Sequence, residues 1–227
     1  MAKDHTQPAT AETYQKTTRT KVRIHQRADY ARATVHNILD AGYVVHLAFV
    51  HDGAPVVIPT FYVRDGESLL IHGSRKTRMF KALAQGMPLC ASVTHLDGLV
   101  LARSWFHHSM NYRSVSVHGQ AVEVTGDAER LQALRLVMER IAPGRADGSR
   151  PPNAQEMKAT VVLRIPLDEA VAKVRTGGPN DDEADLDLPY WAGCVPIETR
   201  HMAPVTSRTM RQKVAVPDAI VALASTG

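Results

Sequence analysis

Seven consecutive residues, His72-Gly73-Ser74-Arg75-Lys76-Thr77-Arg78, gather the side chains best suited to hold an anion. They follow a β-rich run and precede a helical pattern, so they should bridge a strand end and a helix start. The first turn of a helix already carries unpaired N–H donors and partial positive charge. Placing Arg75, Lys76 and Arg78 there stacks like charge on like charge, a local cost of up to about 1 kcal/mol each. A bound phosphate reverses that sign. Ser74 and Thr77 add hydroxyl donors, and Gly73 permits close backbone approach. The alternative is a strand–helix turn with solvated charges. Lys76-Thr77 ends like a Walker loop, but the preceding glycine and the loop length are wrong for one.

A second stretch, Arg103 to Ser114, mixes Trp105, Phe106 and Tyr112 with many hydrogen-bonding groups. A flat heteroaromatic cofactor such as a flavin needs apolar faces and a polar edge of this kind. An ordinary polar loop explains it equally. His107 and His108 are adjacent, so they cannot both face inward from an extended strand, and a metal pair is not expected. Pro59 interrupts a β-rich run. It implies an edge strand or a bulge, and it could mark where a ring lies on the backbone. Lys173 and Arg175 share one strand face and could meet a substrate anion or simply face solvent. No GxSxG elbow is present, which argues against a hydrolase.

The elements that position these groups are legible from period and turn chemistry. Asp29–Asp40 reads as a helix stopped by Gly42. Tyr43–His51, Val56–Arg64 and Ser68–His72 read as strands joined at Asp52-Gly53 and Asp65-Gly66. Both faces of the first strand are apolar, as in a barrel wall with its interior on one side and helices or a partner subunit on the other. Thr77–Gln85 reads as a short helix. Leu89–His95 is a strand, extended by Leu99–Arg103 after a turn at Asp97-Gly98. Arg113–Thr125 is a long strand whose apolar phase changes, which predicts a bulge at Gly119. Asp127 should cap a helix to Ile141, burying Leu131, Leu134, Met138 and Ile141. Ala159–Ile165 and Glu169–Arg175 complete the strands. Residues 1–26 read as a flexible arm, 27–197 as one domain and 198–227 as a tail.

Composition bounds the classes. The 227 residues are 44% hydrophobic and 22% charged with a formal net charge of +4, an ordinary globular balance. The longest basic cluster suits one small anion, so no nucleic acid is expected. Two distant cysteines, Cys90 and Cys194, give neither a disulfide framework nor a zinc spacing. No apolar run is long enough for a bilayer, so no membrane is expected and a cytoplasmic location follows by default.

In order and strand placement, VVIPTFYVRDGESLLIHGSRKTRMFKAL, THLDGLVLARSWFHHSMNYRSVSVHG and AKVRTGGPNDDEADLDLPYWAG resemble the FMN-binding split-barrel superfamily. The likeness is to pyridoxamine 5′-phosphate oxidase-like proteins, including nitroimidazole-resistance flavoproteins, and runs from Tyr43 to Ile197. It implies a mainly β fold, a six-stranded antiparallel split barrel with flanking helices, and a homodimer with FMN near the interface. Ser74, Arg75, Lys76 and Thr77 would hold the phosphate with help from Arg78. Val57, Ile58, Pro59 and Thr60 would line the ring, and Asn111, Tyr112, Arg113 and Ser114 would approach from the later strand. Trp191 would close over the ring or simply pack. His72 is the catalytic candidate, against the plainer reading of a structural histidine, which also covers His46 and His51. The implied activity is an oxidoreductase passing electrons from a reduced nicotinamide to a small organic acceptor. The alternative is a non-catalytic flavin, deazaflavin or haem binding protein on the same fold.

Overall fold

Alternating apolar residues and two tight turns make the first half of the chain a run of antiparallel strands. In the computed structural model, which describes residues 12–224, Asp52 and Gly53 both take positive φ (52° and 75°). That is the two-residue hairpin geometry whose twist matches the strands. In chain order the elements are β1 (Ala28–Asp29), α1 (Arg32–Ala41), β2 (Val44–His51), β3 (Ala54–Phe61), β4 (Val63–Asp65), β5 (Ser68–Ser74) and α2 (Arg78–Ala84). There follow β6 (Pro88–Leu101), β7 (Ser109–Gln120), β8 (Val122–Glu123), α3 (Asp127–Ile141), α4 (Ala154–Ala159), β9 (Thr160–Pro166), β10 (Glu169–Arg175), β11 (Gly193–Pro196) and α5 (Asp218–Leu223).

The strands form two antiparallel sheets. The larger runs β1-β10-β7-β6-β2-β3 with β11 added to β6, and the smaller runs β4-β5-β9-β8. Three runs of chain cross between them: β3 into β4, β7 into β8, and β9 into β10. The main wall therefore consists of six runs, namely β2, β3–β4, β5, β6, β7–β8 and β9–β10. This is the split barrel that the sequence implies. Its interior takes Val45, Leu47 and Phe49 from β2, Ala91 and Val93 from β6, Leu69 and Ile71 from β5, and Leu163 and Ile165 from β9. α1 packs Val35, Ile38 and Leu39 against it, and α2 packs Met79, Phe80 and Leu83. Each such side chain removed from water contributes on the order of 2 kcal/mol. A second, smaller core lies between the other face of the small sheet and α3, built from Leu70, Val162, Val124, Ala133 and Val137.

Four expectations need correction. Asp97-Gly98 is not a turn: β6 runs through it with a register shift between Leu96 and Gly98. Arg113 holds the Asp97 carboxylate through two 2.9 Å hydrogen bonds. A Cβ on Gly98 would stand 2.9 Å from the Val195 carbonyl of β11, so the glycine serves close strand approach. Gly119 is no bulge either, because it pairs Leu89 in unbroken register. The change of apolar phase arises where the chain leaves one sheet for the other at Ala121. In α3 the residues packed tightest are the small Ala133 and Val137, with Gly126 rather than Asp127 at the cap. Leu131 and Ile141 are each 45% exposed. Finally, the expected flexible arm is packed from residue 13 onward. Thr13 bridges Ala31, and the Tyr14 N–H donates to Tyr30. The buried Tyr14 hydroxyl donates to Glu67 at 2.8 Å. Residues 1–11 and 225–227 lie outside the described residues. Residues 198–216 follow the last strand in exposed, irregular chain.

Candidate functional site

β5 separates two places of opposite character. Its odd residues Leu69 and Ile71 face the barrel interior, while Leu70 and His72 face α3. Beyond Leu70 the space between the small sheet, α3 and the 146–152 segment is not filled. It is a cavity of ≈ 530 Å³ lined by His72, Leu131, Leu134, Met138, Pro151 and Pro152, with Arg135 and Arg150 also on its wall. α4 supports this segment through a capping box: Asn153 accepts from the Glu156 N–H and Glu156 from the Asn153 N–H. Arg150 is held in turn by Glu156 at 2.7 Å, and Arg135 by Asp147 at 2.9 Å.

Unlike these paired arginines, His72 carries an unsatisfied atom. Its Nδ1 is buried without a hydrogen-bond partner. Burial pushes its pKa below the ordinary histidine value, so the ring is neutral at neutral pH. A buried polar atom left unpaired costs on the order of 1–3 kcal/mol. A neutral imidazole is also the form that ligates metals. Of the large side chains that the periodicity of α3 assigns to the core, Leu134 and Met138 pack against the second core, and with Leu131 they also line this space.

The second place is the loop after β5. β4 pairs with β5, Val63 facing Leu70 and Asp65 facing Ser68, and β3, which runs into β4, approaches β5 from the other sheet. Two of the predicted groups, 57–60 on β3 and 74–78 at the end of β5 and beyond, therefore lie on chain segments that approach across the barrel's split. β3 is the outer strand of its sheet, so half of its backbone groups face outward, and Pro59 sits where an edge tolerates it. Val57 is 61% exposed. The result is an open shelf, and residues 74–78 line neither the cavity above nor two others of ≈ 560 and ≈ 270 Å³.

The cations of the loop are not equivalent. Arg75 is taken up by Glu123 of β8 at 2.6 Å, and its N–H donates to the Ala159 carbonyl. Lys76 and Arg78 are exposed and make no ion pair with a described residue. The Thr77 hydroxyl donates to the Ser74 carbonyl, and Ser74 Oγ accepts from the Lys76 N–H. Gly73 has a different reason from the one expected. A Cβ there would lie 2.2 Å from the Phe80 ring, so the glycine admits a core aromatic rather than a ligand.

The remaining predicted residues lie elsewhere in this chain. Ser114 and Tyr112 are on β7, three strand steps from β3, or roughly 14 Å at 4.8 Å per step. Arg113 is bound to Asp97. Asn111 accepts from Arg175 at 2.5 Å and donates to the Gly177 carbonyl at 3.1 Å. Arg175 also donates to the Gly178 carbonyl, which engages this buried cation fully. Trp191 is 68% exposed and lies over Gly193 at the far end of β6. Tyr112 is buried, its hydroxyl has no hydrogen-bond acceptor, and Lys173 Nζ stands 5.2 Å from its ring centroid. Burial pushes the phenol pKa up, but Lys173 and Arg27 outweigh it and bring it below the ordinary range. Sequence reading missed Arg27 and the 146–152 wall. The signal for the wall was a long, proline-flanked connection between a helix and a strand, which compact domains seldom keep without use.

Residues 31–174 match the family model described as pyridoxamine 5′-phosphate oxidase. Among solved structures, the flavocytochrome Anf3 from Azotobacter vinelandii is 38% identical. That match covers 91% of this chain and 97% of that one, with a TM-score of 0.87. An FAD and haem binding protein from Mycobacterium smegmatis is 32% identical over 87% of this chain and 97% of its own, with a TM-score of 0.83. A 5-nitroimidazole antibiotic resistance protein from Bacteroides thetaiotaomicron shares the fold at 16% identity. It covers 65% and 86% of the two chains, with a TM-score of 0.55. No curated protein matches the chain.

Proposed function

This chain belongs to the pyridoxamine 5′-phosphate oxidase family, and we propose that it is a flavin- and haem-binding electron-transfer protein, with FMN or the FMN moiety of a larger flavin on the β3–β5 shelf and haem in the His72 cavity. The observation that carries the reading is the unpartnered imidazole in the wall of a ≈ 530 Å³ cavity that is mainly apolar and carries two arginines. Apolar side chains suit a porphyrin's faces, a neutral histidine suits its iron, and Arg135 and Arg150 would exchange Asp147 and Glu156 for its carboxylates. The shelf suits a flavin for other reasons. Lys76 and Arg78 are free to meet a phosphate, with Ser74 and Thr77 beside them. The outward backbone groups of β3 can pair with the polar edge of the ring. The two relatives above 30% identity are described as a flavocytochrome and as an FAD and haem binding protein, which supports the same pairing.

When bound, the flavin supplies hydride acceptance from a reduced nicotinamide, and the haem supplies a one-electron iron couple. The chain's own residues do the rest. Lys76 and Arg78 neutralise phosphate charge, and the β3 edge fixes the ring's orientation. Leu131, Leu134 and Met138 keep water from the buried group, and His72 stays unprotonated because it is buried. The acceptor proposed for those electrons is a small organic molecule.

The open face of the large sheet supports a homodimer. Val44, Val50 and Val57 are 48%, 58% and 61% exposed on it, and no helix covers them. A second copy packed there would bring its own Asn111–Ser114 strand and Trp191 to a shelf they do not reach in one chain. Light scattering on the purified protein should give twice the chain mass, and a monomeric mass that persists with flavin bound refutes this part.

Absorption spectra test the main reading. The purified protein supplied with haemin and flavin should show a Soret band and flavin bands. His72→Ala should lose the Soret band, with haem affinity down at least about a hundredfold, and keep the flavin bands. Equal haem binding by the variant overturns the cavity assignment, and a protein that takes up no flavin overturns the shelf.

A further inference from the structure

Most arginines around the barrel are answered by carboxylates: Arg64 by Asp40, Arg103 by Asp181, Arg113 by Asp97 and Arg164 by Asp65. Arg27 and Lys173 are not. Lys173 lies on β10 and pairs with Ala28 of β1, and Arg27 ends the 3-10 turn immediately before that strand. Neither makes an ion pair with a described residue; Lys173 Nζ stands 5.2 Å from the Tyr112 ring centroid, and both cations favour the ionised form of the Tyr112 hydroxyl. Tyr112 is 7% exposed, and that hydroxyl is buried with no acceptor. Two cations and an idle hydroxyl donor thus converge where the protein offers no acceptor. Arg175, the next residue on that strand face, is engaged with Asn111 and loop carbonyls and does not join them.

We propose that Arg27, Lys173 and Tyr112 form a second oxyanion site, matched to the phosphate of a nucleotide and separate from the 74–78 loop. Two positive charges and a hydroxyl donor match a dianionic, three-oxygen group better than a single carboxylate. Like charges held together are a local cost that the anion reverses. Tyr112 lies three and Lys173 four strand steps from β3, so in one chain the site is not an extension of the shelf.

The test uses the full chain with inorganic pyrophosphate as probe, read by titration calorimetry. A variant lacking Lys76 and Arg78 should still bind pyrophosphate. Adding Arg27→Gln with Lys173→Met should weaken that binding at least tenfold. Tyr112→Phe, which removes only the unpartnered hydroxyl, should weaken it about threefold with an unchanged or raised melting temperature. It carries the test alone if the double change does not fold. Pyrophosphate binding that survives these changes overturns the proposal. So does binding that vanishes with Lys76 and Arg78 alone. The readout does not depend on whether a flavin occupies the shelf. The phosphate's source follows from two further titrations on the same variants. Loss of FAD affinity with FMN affinity kept supports the site as one for the flavin's own diphosphate. Loss of NADPH affinity supports it as one for the donor, and loss of neither supports it as one for free phosphate.

Discussion

The His72 cavity and the 74–78 loop are supplied by the same strand, yet they hold their polar groups in opposite ways. In the cavity, one neutral ring stands on a wall of leucines, methionine and prolines beside two carboxylate-paired arginines, and its cost is set by desolvation. On the loop, Lys76 and Arg78 stand in water, where screening makes each charge cheap and each contact weak. Gly73 is the hinge between the two, and it is fixed by neither ligand. Phe80 of α2 occupies the space its side chain would need. The difference teaches that a buried site announces itself by an unpaired group and an exposed one by an unpaired charge.

The largest effect should come from breaking that hinge. Gly73→Ala places a Cβ 2.2 Å from the Phe80 ring, and the ring is a fully packed core group. Overpacking of this kind costs about 1–3 kcal/mol. Urea unfolding should show a lowered midpoint with unchanged slope, and both cofactors should bind less well only in proportion. A normal midpoint with selective flavin loss would return Gly73 to the ligand-approach role. Next in size is the loop. Lys76→Ala with Arg78→Ala should weaken flavin roughly tenfold, about 1.4 kcal/mol, because both charges are exposed. The melting temperature of the flavin-free protein should stay within measurement error. Equal loss of folding and flavin would make these residues structural.

The sequence speaks clearly where structure is local. Tyr43–His51 and its turn follow from period two and from Asp52-Gly53, and α1 follows from Val35, Ile38 and Leu39 with Gly42 behind them. It is silent where a strand changes sheets. The step from Val117 to Val122 shows only as a change of phase, which a bulge at Gly119 mimics. The cation loop was legible because its residues are adjacent. The cavity was not, because Leu131, Leu134 and Met138 show the same helical spacing whether they meet a core or a cofactor. Arg27 and Lys173 meet only through the β1–β10 pairing, 146 positions apart.

A smaller effect separates the buried ring from the exposed charges by pH. The folded His72 pKa lies below the ordinary 6.5. Between those values the unfolded chain binds more protons, so stability is complete above about pH 6.5 and declines as pH falls. His36 and His118 shift in the same direction, so the wild type alone does not isolate the term. Subtracting the melting profile of His72→Leu from that of the haem-free wild type should leave a slope below pH 6.5, no steeper than about 1.4 kcal/mol per pH unit. A flat difference would mean that the ring is solvated and the cavity open.

The smallest effect bears on the one loop cation that is already occupied. Glu123 reaches across from β8 to Arg75 at 2.6 Å, with the two side chains 25% and 40% exposed. Such a pair contributes about 0–1 kcal/mol to folding, so Glu123→Gln should barely move the melting temperature. Its effect on the shelf has a definite sign. If Glu123 competes with phosphate for Arg75, the change frees a cation, and flavin affinity rises a few-fold at low salt, with the gain fading as salt is added. If Glu123 instead holds Arg75 in the posture that receives phosphate, affinity falls while the salt dependence stays. Titrating flavin at two ionic strengths distinguishes them. The competitive sign is expected, because the Arg75 backbone is already anchored to Ala159 and needs no carboxylate to stay in place.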